Sequence, residues 1–225
     1  MTAITESTNL AVRARPRAAT VAGWAGVVGP ALFTACFVAQ EWFRAGAYDP
    51  VAEPVSALEA GPYGWIQQLN FVVFGVLTLV FAVGLHAGIE RSRAGWIGPA
   101  LLGVSGVGLL VAAVFPLRAD ASGAVYDPGG HFIGGILFFP VTAAALVALS
   151  RRLARDPRWR ALAGYTLLAG VVAIAGVVVS VTLVFRDGAP LADWGGLVQR
   201  VLILAVLFPC RVALAARLLR LSRVP

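Results

Sequence analysis

With 225 residues, 59% of them hydrophobic and only 13% charged, the chain lacks the polar surface that a soluble domain of this size presents to water. The net charge of +7 comes from 18 basic residues, all arginine, set in short segments between apolar runs; that pattern excludes a basic face for nucleic acid and points to membrane topology. The two cysteines, Cys36 and Cys210, sit inside apolar runs as small hydrophobes and exclude a disulfide framework or a metal pair.

Residues 1–20 are polar, carry Arg13, Arg15 and Arg17 and have no apolar periodicity, so they are expected to form a disordered cytoplasmic tail. Residues 21–39 form the first apolar run, which ends at Gln40 and Glu41. Because further spans follow, it reads as an uncleaved anchor rather than a signal peptide. The connection from Arg44 to Gly64 is long and carries Asp49, Glu53, Pro54, Ser56 and Glu59; a lid over a site and a solvated connector both remain open for it. Apolar runs then occupy residues 65–87, 95–115, 131–149, 161–185 and 197–216. A bilayer core of about 30 Å takes about 20 residues of helix, so each run is long enough to cross. The expected fold is an all-α membrane protein, a six-transmembrane-helix bundle over residues 21–217 with a short cytoplasmic tail at 218–225.

Arginine placement sets the expected orientation. The N-terminal segment, the second and fourth connections and the C-terminus hold thirteen arginines, whereas the alternate side holds only Arg44, Arg118, Arg186 and Arg200. Short arginine-rich loops stay in the cytoplasm, so both termini are expected inside. Acids such as Glu41, Asp49, Glu59, Asp127 and Asp187 gather on the outer side. The absence of lysine together with abundant Ala, Gly, Val and Leu resembles the usage of a GC-rich bacterial genome, and the expected localisation is a bacterial cytoplasmic (inner) membrane. Trp24, Trp65, Trp96, Trp159 and Trp194 fall near span ends, where an indole prefers the headgroup layer.

Glycines at Gly84 and Gly88, at Gly130 and Gly134, and along the third run from Gly95 to Gly108 predict close helix packing, with the third helix near the centre. Such small-residue faces serve contacts within one bundle or between two copies, so a homo-oligomer stays open. The motif Tyr48-Asp49-Pro50 recurs as Tyr126-Asp127-Pro128, in which Asp bonds nearby backbone N–H groups and starts a turn or helix.

Polar side chains collect at one end of four spans: Gln40 and Glu41, Gln67 with Gln68 and Asn70, His131, and Gln199 with Arg200. Polar groups at a membrane edge are costly unless hydrated or paired, so the cluster predicts a water-accessible outer vestibule. Its candidate ligand-binding residues are Glu41, Asp49, Ser56, Gln67, His131, Gln199 and Arg200, with Glu41 or a loop Asp as the expected partner of Arg200. His131 reads first as a helix-start histidine bonded to Asp127 or a loop carbonyl. His86 lies at the opposite end of its helix, about 30 Å away, so the histidines share no metal. No motif for a nucleotide, metal or cofactor is present. Arg211, after Pro209, is expected to snorkel toward the cytoplasmic face or to meet carbonyls freed by the proline.

Taken together, Tyr48-Asp49-Pro50, Ser56-Ala57-Leu58, Gly61 through Trp65, Phe115-Pro116, His131, Arg151-Arg152-Leu153 through Trp159, and Gln199-Arg200 resemble the bacterial membrane family catalogued as domain of unknown function 998, over about residues 20–220. That resemblance implies a six-helix integral membrane protein and singles out Asp49, Ser56, His131, Gln199 and Arg200. Two functional readings follow. The favoured one is a vestibule that binds a small molecule or lipid headgroup or docks a partner; the alternative is an intramembrane hydrolase using His131 with Ser56 and Asp49 or Asp127. A transporter is disfavoured because no ionisable residue is expected near the midplane.

Overall fold

The computed structural model describes residues 2–90, 95–186 and 188–223, with side chains from Arg17 onward. Arg91, Arg93 and Asp187, and the side chains of Arg13 and Arg15, lie outside the described set. Among the described residues, six helices are long and apolar enough to cross a membrane, and the chain is a multi-pass integral membrane protein. In a bilayer the backbone finds no water to bond, so an apolar run of this length must satisfy its N–H and C=O groups within a helix.

Helix α1 (Thr2–Phe43) contributes Arg17–Phe43 as its apolar part, and its helical backbone extends back over the polar N-terminal segment. It is followed by α2 (Gly64–Gly88), α3 (Ile97–Val114), α4 (His131–Leu153) and α5 (Ala163–Val179), which is prolonged by a π-helical turn at Ser180–Val184. The sixth crossing is built from α6 (Gly195–Val201), a π-helical segment at Leu202–Leu207 and α7 (Phe208–Ser222). Between α3 and α4 lies a small antiparallel ribbon of β1 (Arg118–Ala119) and β2 (Val125–Tyr126), with Arg118 opposite Tyr126.

Short connections make sequence neighbours into packing neighbours. Each helix from α1 to α5 packs on the next, α5 packs on the sixth crossing, and α7 closes the ring against α1. Helix α3 is therefore one wall of the ring, wedged between α2 and α4, and not the central helix its glycines predicted. A Cβ on Gly106 would stand 3.0 Å from the Gly75 carbonyl oxygen, so α2 and α3 meet through bare backbone. Gly134 meets Gly108 in the same way between α4 and α3. Its expected pair, Gly130, is instead the left-handed residue before α4, with φ of 107°.

Lipid tails are as apolar as leucine, so packing and polar contacts hold such helices together. Phe33, Phe74, Phe138 and Phe208 interlock in the core, with Phe33 and Phe74 ring centres 4.9 Å apart. At the arginine-rich end, Arg152 on α4 donates to the carbonyls of Ile89 and Gly95, each at 2.6 Å, and to those of His86 and Glu90. These carbonyls lie at and beyond the end of α2, where a helix runs out of its own donors. Trp159 is completely buried there and donates to the Gly88 carbonyl at 3.2 Å; it plugs the bundle rather than lying in the headgroup layer as expected.

Asp156 ties the same two connections together, accepting the Glu90 N–H at 2.9 Å and pairing with Arg158 at 2.8 Å. Burial alone would raise its carboxyl, but the Arg158 guanidinium and the N–H groups of Glu90 and Arg158 outweigh it and hold the group below the ordinary carboxylate range. A lowered folded-state pKa stabilises above the unfolded value, and that contribution is lost as pH falls through the folded value. The melting temperature in detergent is therefore expected to drop below about pH 4. Asp156→Asn should melt lower at neutral pH and drop less on acidification; parallel curves for the two proteins would contradict this account.

Candidate functional site

The first connection, residues 44–63, is fastened at both ends and in its middle. Arg44 donates to the carbonyls of Leu58 and Ala60. The N–H groups of Gly196 and Leu197, among the first of α6 and so without helical acceptors, donate to Ala52 O at 3.0 Å and Val51 O at 2.9 Å. Gln199 Oε1 accepts the Val55 N–H at 2.8 Å. The connection is a docked cover over the start of the sixth crossing, and its own Val55, Ala57 and Leu58 are buried.

Arg200 is the centre of that docking. Its guanidinium pairs with Glu41 at the end of α1, with Nε at 3.1 Å from Oε1. It also donates to the Glu53 carbonyl at 2.9 Å and to the Tyr48 hydroxyl at 2.6 Å. Tyr48 passes the network on to the carbonyls of Glu53 and Pro54. Burial pushes the Tyr48 phenol up to about 12 against the opposing pull of Arg200, so it remains protonated and donating. The Glu41 partnership is the one anticipated; Tyr48, read only as part of a turn motif, is the member that sequence reasoning missed.

His131, the first residue of α4, bonds the expected Asp127 through its backbone, while its ring meets an acid that was not expected. Asp127 caps the helix through its backbone, accepting the N–H groups of Phe132 at 2.8 Å and His131 at 3.3 Å. The imidazole turns to Glu59, with Nδ1 at 3.0 Å from Oε2, a close polar contact that is not aligned as a hydrogen bond. The Glu59 side chain is fully buried, and its Oε2 also accepts the Leu117 N–H at 3.1 Å. Burial raises the Glu59 carboxyl above its usual range despite His131 and the Leu117 N–H. Glu59 stood among the outer acids in the sequence; its signal was its place beside Val55, Ala57 and Leu58, in a stretch too apolar for a solvated loop.

Ser56, His131 and Gln199 line a cavity of about 360 Å³. Ser180, whose hydroxyl donates to the Gly176 carbonyl, also lines it, and the rest of the wall is mainly apolar: Phe33 and Phe71, then Phe132, Phe138, Phe139 and Pro140 of α4, Val177, Val181 and Phe185 at the end of α5, and Leu202 and Ile203. Helices α4 and α5 touch closely where Gly170 meets Ala143 and Val147. Nearer the His131 end, the cavity lies between them. Pro140, which cannot donate to the preceding turn, and the π-helical turn at Ser180–Val184 flank this opening. Phe132, Val181 and Phe185, each more than half exposed, stand at its lipid-facing edge.

Other candidates lie elsewhere. Asp49 is exposed, and its carboxylate accepts the Val51 N–H at 2.8 Å in a turn. Gln67 is buried between α1 and α2, where its Oε1 accepts from Gln40 at 2.9 Å and Asn70 at 3.2 Å; it is an interhelical tie and not part of the cavity wall. Arg211 does not snorkel. It is 7% exposed and donates to Thr78 Oγ1 at 2.7 Å, near the middle of α2, and to the carbonyls of Ala25 and Gly26. The bundle therefore does hold a charged group deep inside, against expectation, because Thr78 and two α1 carbonyls offer a nearer set of acceptors than the membrane surface.

A family model described as protein of unknown function (DUF998) matches residues 27–216. The chain belongs to the DUF998 family. No curated protein and no solved structure matches it. The DUF998 match spans both the Glu41–Arg200 network and the His131 cavity, together with at least part of every helix of the ring.

Proposed function

We propose that this DUF998 protein binds a single-chain amphiphile or one acyl chain of a lipid, with the polar end at Ser56, His131 and Gln199 and the hydrocarbon between α4 and α5. The observation that carries the reading is the cavity of about 360 Å³, apolar along its length and polar at one end. Cavities of this size and composition suit small apolar ligands oriented by a few polar groups. Exposed Phe132, Val181 and Phe185 at its edge provide a sideways path from the bilayer. The arginine distribution supports an orientation with both termini in the cytoplasm, in which that polar end faces the extracytoplasmic side of the membrane. Glu41 and Arg200 act in this reading by fastening the loop that carries Ser56.

Gly135 gives a clean test, because it lines the cavity and a Cβ there meets nothing within 4 Å. Gly135→Phe should fill the space while the bundle still folds. In purified protein, phospholipids and lysolipids are expected to raise the melting temperature of the wild type and to have little effect on Gly135→Phe. His131→Ala should keep chain binding and lose discrimination between headgroups. Equal lipid stabilisation of wild type and Gly135→Phe would refute the site.

One observation favours a second reading, in which Glu59 holds the His131 ring as base and Ser56 or water attacks an ester carbonyl. The buried Glu59–His131 pair supplies the base and its orienting carboxylate on the cavity wall, in place of Asp49 or Asp127. No hydrogen bond joins Ser56 to His131, so binding is the better supported function.

A further inference from the structure

We propose that the interior cavity beside Arg211 is a binding site for one monovalent anion of halide size. Arg211 extends from α7 into the core, where the rings of Phe74 and Phe81 lie 4.8 and 5.0 Å from its guanidinium carbon. A guanidinium stays protonated at physiological pH and carries five N–H groups. The bonds to Thr78, Ala25 and Gly26 engage one each of Nε, Nη1 and Nη2, and every acceptor is neutral. Among the described residues no carboxylate pairs with Arg211; the acids in ion pairs are Glu41, Glu59 and Asp156, near the helix ends. A charge in so low a dielectric is costly without an opposite charge, and ring faces and carbonyls supply only part of one.

The space next to it has matching chemistry. A cavity of about 30 Å³ is walled mostly by leucine and aromatic side chains, and Arg211, Thr78, Ser105 and Thr142 are its polar border. Thr78 and Ser105 donate their hydroxyl protons to the carbonyls of Phe74 and Leu102. Thr142 Oγ1 is buried, 7% of the residue being exposed, and has no hydrogen-bond partner. The polar groups left to face an occupant are therefore donors: the remaining guanidinium N–H groups and the Thr142 O–H. The cavity of about 30 Å³ is small, with room for a compact ion such as chloride or bromide. Water accepts hydrogen bonds in such a place but leaves the charge uncompensated. Phe138 is a wall of both this cavity and the larger one, so the sites are adjacent but separate.

The test uses the full chain purified in detergent, with unfolding followed in chloride, bromide, gluconate and sulfate at matched ionic strength. Chloride and bromide are expected to raise the melting temperature saturably over gluconate and sulfate. Thr142→Val should weaken the half-saturating chloride concentration by about tenfold, the effect of one hydrogen bond to a charged partner. Arg211→Met should remove the anion dependence, and bromide should give an anomalous peak beside Arg211. Equal melting in all four salts would overturn the proposal, as would a halide effect unchanged in Thr142→Val or a lone water in the density.

Discussion

Arg152→Ala is expected to destabilise the bundle on the order of 4 kcal/mol, because two buried carbonyls, those of Ile89 and Gly95, would lose their donors together. The loss also reaches the carbonyls of His86 and Glu90, so the end of α2 should loosen from α4. Arg152→Lys should recover only a minor part. An ammonium is a point donor and does not span four carbonyls as a planar fork does. Reversible unfolding in mixed detergent measures both variants; a cost below about 1 kcal/mol for alanine, the net value of an ordinary hydrogen bond, would show that the carbonyls find other donors.

Arg200→Ala is the second large effect, expected at about 3 kcal/mol, the lower end for breaking a buried pair because both side chains keep some exposure. The residual cost arises from Glu41 left without its partner and from Tyr48 and Glu53 losing a donor. Replacing both charges, as Arg200→Met with Glu41→Leu, should therefore be less damaging than Arg200→Ala alone. The same single change should release the cover formed by residues 44–63, seen as faster proteolysis within that connection. If the double replacement is as unstable as the sum of the single ones, Glu41 and Arg200 are not energetically coupled and the cover is held by the backbone bonds to α6.

The contrast between these two arginines shows how far the chain could be read on its own. Arg200 was legible: a guanidinium at a span end needs a nearby anion, and Glu41 closes another span at the same end. Arg152 was read as a topological charge and as part of a family motif, not as a structural donor, since nothing local reveals that the carbonyls past α2 come within reach of α4. Arg211 was misread for the same reason. A sequence gives the distance of a residue from the end of its own helix, but not the acceptors on helices beside it, and here Thr78 and the Ala25 and Gly26 carbonyls decide the outcome. The bond between His131 and Asp127 was legible and runs through the backbone as a helix cap, whereas the contact of the ring with Glu59 was not.

The sequence by itself determined the six crossings, their limits to within a few residues and the end at which polar groups gather, because a bilayer requires about 20 apolar residues for each helix. It also determined that Asp49 and Asp127 would turn the backbone, a matter of residues only a few positions apart. Only the tertiary structure decided that α3 is a wall of the ring, that Glu59 faces His131, and that α4 and α5 leave a cavity between them. Hydrophobic length acts along one helix and is visible in order of residues; which faces meet depends on close packing among helices distant in the chain, and no local pattern encodes it.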